Sequence, residues 1–380
     1  MYSKIFSASL YGLDAYIIEI EVQFERALPY FGIVGLPDAT VKESRERVKA
    51  ALGNSGVTFP VKKITVNLAP ADLKKEGASF DLPIAVGIMA AAGIINHHEL
   101  DNTLFIGELS FEGKLRSVKG ILSIIMAAKE KGFKRMIIPQ SNASEATIIN
   151  GIEIYAFKNL EMVLDFLLGK IQIIPVKKEV PNFHYISSGC DFSEVRGQPY
   201  VKRGIMVSAA GNHNVLMIGP PGSGKTMIAR RIPTVLPPLS LEEAIELTRI
   251  YSVSGMLKKN TLIKQRPFRN PHHTASDAAI IGGGVIPKPG EVSLAHRGVL
   301  FLDEFPEFKK NVLNTLRQPL EDNTVTISRA ERAVTYPANF MFVASMNPCP
   351  CGYYGHPEIV CRCSEEKIRN YVSRISGPIL

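Results

Sequence analysis

The run Gly219-Pro220-Pro221-Gly222-Ser223-Gly224-Lys225-Thr226 fits G-x-x-x-x-G-K-[ST], the phosphate-cradling loop. Its residue types suit that chemistry. The glycines let the backbone curl so that its N–H groups point at an anion, and the start of a following helix adds partial positive charge. Lys225 can reach the β- and γ-phosphates of a nucleotide, the Thr226 hydroxyl can ligate Mg2+, and Met227 completes the stretch expected to touch the nucleotide. Further along, Asp303 and Glu304 close an apolar run, Gly-Val-Leu-Phe-Leu, over 298–302. Two acids there supply the other half of such a site: Asp303 holds the Mg2+ shell, and Glu304 orients and polarises the attacking water. Asn347 closes the next apolar run, 340–345, where its side chain would sense the γ-phosphate beside Glu304. The expected ligands are ATP and Mg2+.

A second kind of chemistry follows at once. Cys349, Cys351, Cys361 and Cys363 read C-x-C-x9-C-x-C, while Cys190 stands alone. In a cytosolic chain, clustered cysteines point to metal more than to disulfides. Two C-x-C pairs close a tetrahedral zinc site if the intervening loop folds back. Reduced, uncoupled thiols or another soft metal are the alternative. The adjacent pair His272-His273 is not expected to hold a metal, because neighbours in sequence seldom chelate together from regular structure.

These groups need a scaffold, and 380 residues favour two domains. A hydrophobic share of 46% and a charged share of 21% suit a soluble globular protein. Asp14 and Glu19 interrupt the N-terminal apolar residues, so no secretory signal is expected, and the longest apolar run, 82–95, is too short to span a bilayer. The expected location is the cytoplasm, with no membrane partner. Net charge is +8, unevenly placed. Residues 1–168 hold 18 Lys/Arg against 19 Asp/Glu, a net of −1, and residues 169–380 hold 26 against 17, a net of +9. The excess sits with the phosphate loop, which suits a polyanionic partner as well as a nucleotide.

The expected architecture is α/β throughout. In residues 1–168, strands are predicted at 15–22, 31–34, 63–67 and 135–138, and helices at 39–55 (capped by Asp38), 83–95, 121–131 and 160–168, with a hairpin joining 104–110 to 113–116. Residues 169–190 read as a linker. From residue 191, a buried strand at 214–218 precedes the loop and a helix at 227–232 follows it. Further helices are predicted at 241–252 (capped by Ser240), 305–320 and 365–375 (capped by Ser364). The tract 266–297 is polar and glycine-rich, too long for a plain connection, and expected to carry function or its own hairpin. Residues 324–336 alternate, break and alternate again, the pattern of a β-hairpin with Arg329 and Arg332 near its tip.

Two resemblances add to this. Lys75-Glu76-Gly77-Ala78-Ser79 followed by a helix resembles the nucleophile segment of Lon-type proteases, and 104–139 resembles the Lon segment carrying the partner lysine. A serine needs such a base. Here Leu122 stands where that lysine should be and Lys119 lies three positions early, so a non-proteolytic Lon-like module is expected over 1–168. The order of the remaining motifs, with the Pro-His-His tract, Leu-Asp-Glu-Phe and Asn-Pro-Cys-Pro-Cys-Gly, resembles the YifB/ComM family of magnesium-chelatase-like AAA+ ATPases over essentially the whole chain.

That resemblance implies an N-terminal Lon-like domain of the ribosomal protein S5 domain 2-like kind. It further implies a three-layer α/β/α AAA+ core with a parallel sheet over 191–380. It makes 275–295 a helix-2 insert and 324–336 a pre-sensor hairpin, both lining a ring pore, so that Lys288, Arg329 and Arg332 would grip DNA phosphates without reading sequence. It implies a hexameric helicase driving branch migration on branched or single-stranded DNA. The competing expectations are a chelatase-like accessory ATPase that remodels a partner protein and, less favoured, a Lon-like peptidase. Family members continue past Ser376-Gly377-Pro378 into an arginine finger and a helical lid, both expected to be absent from this chain, which is expected to bind nucleotide but to hydrolyse it poorly.

Overall fold

A computed structural model describes residues 1–75, 77–178, 189–257, 262–284, 287–328 and 333–379. The chain divides into two compact units, Met1–Pro181 with Gly255–Leu262, and Asn182–Ser254 with Ile263–Leu380.

The first unit is built on a seven-stranded mixed sheet. Its spatial order is Tyr30–Val34, Lys63–Ala69, Asp14–Glu25, Tyr2–Tyr11, Thr103–Phe105, Arg135–Pro139, Glu153–Phe157. The long hairpin of Tyr2–Tyr11 against Asp14–Glu25 is antiparallel, and the last three strands run parallel. Sequence periodicity misses Tyr2–Tyr11 because three of its buried positions are serines, Ser3, Ser7 and Ser9. Ser3 donates to the Gly87 carbonyl at 2.7 Å, which satisfies its buried hydroxyl. Gly87 permits that approach, since a Cβ on it would stand 2.7 Å from Val22 Cγ2. Its helix, Asp81–Ala91, is buried along its whole length, as its unbroken apolar character requires. Helix Ala39–Asn54 begins where Asp38 accepts from the Val41 N–H at 2.7 Å.

The expected hairpin over 104–116 is corrected. Leu104 belongs to the large sheet, and the antiparallel pair is the short Glu108–Leu109 with Leu115–Arg116. Beneath it lies an ion pair that sequence reading did not anticipate. Asp81, fully buried, takes two hydrogen bonds from Arg47, at 2.6 and 3.1 Å, and one from the Leu109 N–H at 3.1 Å. Burial pushes the Asp81 carboxyl up, and the Arg47 fork, the Ser44 hydroxyl and the Leu109 N–H oppose that. The pair ties both helices to the hairpin.

In the second unit, four parallel strands lie in the order Val215–Ile218, Met341–Met346, Val299–Leu302, Phe268–Arg269. The strand before the phosphate loop is an edge of this sheet and only half-buried, with Ile218 59% exposed, which corrects the expectation of a buried strand. Val299–Leu302 and Met341–Met346 are buried throughout. The single helix expected over 305–320 is instead a 3-10 turn at Phe305–Glu307 and two short helices, Lys310–Thr315 and Arg317–Asp322. The long tract contributes the strand Phe268–Arg269, the helix Asp277–Ile281 and a hairpin pairing Gly282–Gly283 with Lys288–Pro289. Residues 324–336 supply the strands Thr324–Ser328 and Ala333–Pro337 in antiparallel register, while Arg329 and Arg332 lie outside the described residues. Among the described residues, no helix is long and apolar enough to cross a membrane.

A charged network fixes the lower ends of the two central strands. Helix Leu241–Ser254 starts with a reciprocal box in which Ser240 Oγ accepts from the Glu243 N–H and Glu243 accepts from the Ser240 N–H, both at 3.1 Å. Glu246 on that helix faces His296 Nε2 at 3.0 Å and accepts from Arg297 at 3.2 Å. His296 Nδ1 accepts from the Asn339 N–H, which leaves the Nε2 edge of the ring facing Glu246. His296 and Arg297 lead into one strand and Asn339 into the other.

Two outcomes follow. Asp81→Asn leaves Arg47 without its counter-charge and is expected to lower stability by about 3–5 kcal/mol in denaturant unfolding. Glu246 is held at about 2, chiefly by its hydrogen bond from His296. A depressed folded pKa contributes stability that is complete above the unfolded value of about 4.3 and is lost as pH falls toward 2. Glu246→Gln should therefore show a shallower loss of thermal midpoint than the parent chain between about pH 4.5 and 2, read from melts across that window.

Candidate nucleotide site

The three expected site segments meet at the carboxyl ends of parallel strands, the side where open α/β sheets bind ligands. The phosphate loop follows Val215–Ile218, Asp303-Glu304 follows Val299–Leu302, and Asn347 follows Met341–Met346. Together they line a cleft of about 410 Å3 formed by Pro221–Met227, Asp303, Glu304, Ser345, Met346 and Asn347.

Gly222 and Gly224 take positive φ, 78° and 85°, and so turn the loop into helix Lys225–Arg231. Ser223 Oγ donates to the Pro220 carbonyl at 2.8 Å and closes the curl. Lys225 Nζ donates to the Gly219 and Pro220 carbonyls at 2.7 and 3.0 Å, and to Asn347 Oδ1 at 3.3 Å. Burial lowers its pKa against the pull of Asp303. Lys225 and Asn347 thus share one small volume.

Asp303 is held on both carboxylate oxygens. Oδ2 accepts from Thr226 Oγ1 at 2.6 Å, and Oδ1 accepts from the Glu304 N–H at 3.1 Å and from Ser345 Oγ. Ser345 was missed by sequence reasoning, although a lone serine in the buried run Met341–Met346 has to find a partner, and that is the signal it left. Thr226 and Asp303 offer adjacent hard oxygens, a donor set that fits Mg2+ alongside phosphate oxygens.

Glu304 is held differently. It sits in the left-handed region at φ 53°, its side chain is 60% exposed, and its Oε2 lies 3.5 Å from His273 Nδ1. The two histidines, 272 and 273, stack at 4.1 Å, and His272 Nδ1 pairs with Thr274 at 2.9 Å. They belong to no cluster of three or more potential metal ligands among the described residues. Val195 is buried in the core that holds Ile228 and Ile232 of the loop's helix and the turn after it. Lys288 stands exposed on the glycine hairpin.

The four cysteines converge, every sulfur within 4.8 Å of the others. Cys349, Cys351 and Cys361 are separated by 3.3, 3.6 and 3.6 Å. A tetrahedron with Zn–S of about 2.3 Å has edges near 3.8 Å, so the donor set and its spacing fit zinc. Cys351 also accepts from the N–H groups of Tyr353 and Arg362, as a thiolate ligand would.

In the first unit, Leu122 is fully buried on helix Ile121–Glu130, Lys119 is exposed before it, and Ser79 lies in a short 3-10 turn. Glu76 lies outside the described residues.

A glycine loop, a Thr–Asp pair and a sensor asparagine on a parallel sheet define a P-loop nucleotide-binding protein, and the relatives refine that class. Residues 191–380 match the family described as magnesium chelatase, subunit ChlI, and residues 20–142 match the subunit ChlI of Mg-chelatase family. An uncharacterized protein, YifB, of Escherichia coli is 45% identical over 379 residues, covering 100% of this chain and 74% of YifB. Competence protein ComM of Haemophilus influenzae is 45% identical over 381 residues, covering 99% of this chain and 74% of ComM. Lon protease 2 of Bacillus subtilis is 35% identical over 130 residues, covering 33% of this chain and 23% of that protease. The chain belongs to the YifB/ComM family of magnesium-chelatase-like AAA+ proteins. ATP and Mg2+ are the ligands that this family implies.

Lys225→Ala is expected to weaken binding of a fluorescent ATP analogue by well over tenfold, and Thr226→Val to spare metal-free nucleotide binding while abolishing its enhancement by Mg2+. Equal Mg2+ enhancement in Thr226→Val and the parent chain would remove Thr226 from the metal shell.

Proposed function

We propose that the chain is the ATP-hydrolysing core of a ring-forming DNA motor that drives branch migration in recombination of DNA. The observation that carries the ATPase reading is the closure of Thr226 on Asp303 at 2.6 Å beside Lys225 and Asn347. In this reading the loop N–H groups and Lys225 take the phosphates, Thr226 and Asp303 hold Mg2+, and Asn347 contacts the γ-phosphate. Glu304 accepts a proton from the water it aligns. Bound Mg2+ would neutralise charge building between the β- and γ-phosphates.

The DNA reading rests on other features. The second half of the chain carries the entire positive excess, +9 against −1 in residues 1–168. Two hairpins lie outside its sheet, one bearing the exposed Lys288 and the other flanking 329–332, whose sequence contains Arg329 and Arg332. Phosphate contacts of this kind bind without sequence preference. ComM carries the name of a competence protein. A six-membered ring is the assembly in which such hairpins would line a pore. A chelatase-like ATPase that remodels a protein partner is the second reading, favoured by the family's name alone. The peptidase reading is disfavoured by Leu122, which has no proton to exchange and is buried at its position. The cysteine set is proposed to hold structural Zn2+.

The test is ATP hydrolysis with and without a four-way DNA junction, on this chain and on one extended to the length of its relatives. Junction-stimulated turnover in the extended chain, lost in Glu304→Gln, is the expected result. Arg329→Ala and Arg332→Ala should each lower the slope of log affinity against log salt by about 1. Turnover indifferent to any DNA would move the assignment to the protein-remodelling reading.

A further inference from the structure

The cysteine knuckle is tied to the nucleotide cleft from three sides, all within the second unit. Its leading side is the sensor itself, since Cys349, fully buried, stands two residues after Asn347. Its turn, closed by the Gly352 N–H on the Cys349 carbonyl at 2.9 Å, rests on the phosphate loop. Gly352 has φ +86°, and a Cβ there would lie 2.6 Å from Pro221 Cδ and 2.8 Å from Cγ. Only a glycine lets these two loops touch. Its trailing side is helix Glu365–Val372, whose cap, Ser364, immediately follows Cys363. From that helix Tyr371, 7% exposed, accepts from the Asn347 N–H. Just beyond it, Arg374 pairs with Glu307 at 3.0 Å, three residues past Glu304.

We propose that the four-cysteine knuckle is a metal-dependent clamp on the nucleotide site. With Zn2+ on the thiolates, the segment from Cys349 to the capped helix is one rigid body that holds Asn347 from both ends and seats Pro221. Without the metal nothing links the four sulfurs, the Gly352 turn is free to relax from the phosphate loop, and nucleotide affinity falls. Gly352 and Tyr371 are positioning residues in this scheme. The inference rests on the ATP-binding reading and adds to it a dependence on a second metal, distinct from Mg2+ in ligand chemistry: soft sulfur against hard oxygen.

The experiment measures zinc content by elemental analysis and the dissociation constant of fluorescent ATP and ADP analogues, on the 380-residue chain. The expected result is one zinc per chain, an ATP affinity weakened by at least about tenfold on chelator stripping, and recovery on adding ZnCl2 but not MgCl2. Gly352→Ala should weaken nucleotide binding to a similar extent while keeping its zinc. Gly355→Ala is its control: φ is +77°, so the backbone strain is alike, yet a Cβ there meets nothing within 4 Å. It should bind nucleotide as the parent does. Tyr371→Phe removes only the acceptor for the Asn347 N–H, and should lose more affinity for ATP than for ADP. Zinc-free chain, or zinc-loaded Gly352→Ala, binding ATP with the parent's affinity overturns the clamp, as does a parent chain purified without zinc. Lys225→Ala separates the two levels. If it abolishes a binding that stripping leaves intact, the clamp fails and the nucleotide site stands. If the parent binds no ATP while carrying zinc, both fail.

Discussion

The carboxylate of Asp303 is where the second unit converges. It accepts from Thr226 of the phosphate loop, from Ser345 of the central strand, and from the backbone of its own successor. No pair of these donors comes from the same segment, so the contact exists only if three strand ends stop at matching heights. The sheet register provides that. Val343 pairs with both Val215 and Phe301, and Ala344 with both Leu216 and Leu302. A slip of one residue in the central strand would turn Ser345 to the opposite face and remove its contact with Asp303. The strand that leads to Asn347 thus also sets the distance between the phosphate loop and the acids.

Register must also be anchored at the opposite ends of the strands. There Arg297, at φ 57°, gives its N–H to the Asn339 carbonyl at 2.6 Å, and its own carbonyl accepts from Arg266 at 2.6 Å. Arg266 in turn reaches Glu243, the acid of the capping box. Charge is used here for geometry, because several partners share each group. An isolated surface pair would contribute little, whereas groups satisfied on several sides resist any single displacement.

Much of this was legible in the residues, and the gaps have identifiable causes. The phosphate loop, the acids, the sensor and the cysteine spacing were readable because each demands particular atoms at particular spacings. Strands such as Met341–Met346 and helices such as Asp81–Ala91 were readable because full burial leaves an unbroken apolar run. Tyr2–Tyr11 was hidden by buried serines, one of which, Ser3, bonds to a helix 84 residues away, which no local pattern can reveal. The Arg47–Asp81 pair was hidden for the same reason, its partners being 34 residues apart. The break of 305–320 into a turn and two helices was signalled by Pro306 and Pro319, which were outweighed by the apolar spacing around them. His273 was weighed only as a metal ligand, since its contact with Glu304 depends on Phe268–Arg269 joining the sheet beside Val299–Leu302.

The contrast between the two neighbouring acids bears on how such a site would be controlled. Asp303 is fixed by three donors, whereas Glu304 is largely exposed, sits in a backbone region costing about 1–3 kcal/mol, and has its carboxylate 3.5 Å from His273. In the proposed mechanism the acid assigned to the metal is therefore built in, and the acid assigned to the water is only loosely held. Binding and turnover could then be separated. Phosphates and metal would meet a formed cradle, but the attacking water would be aligned only when something fixes Glu304. The segments able to do so are those beside it: the histidine tract at 272–273, and the turn Phe305–Glu307, which Arg374 holds from beyond the knuckle's helix. A signal that reaches either segment changes the rate without rebuilding the phosphate loop.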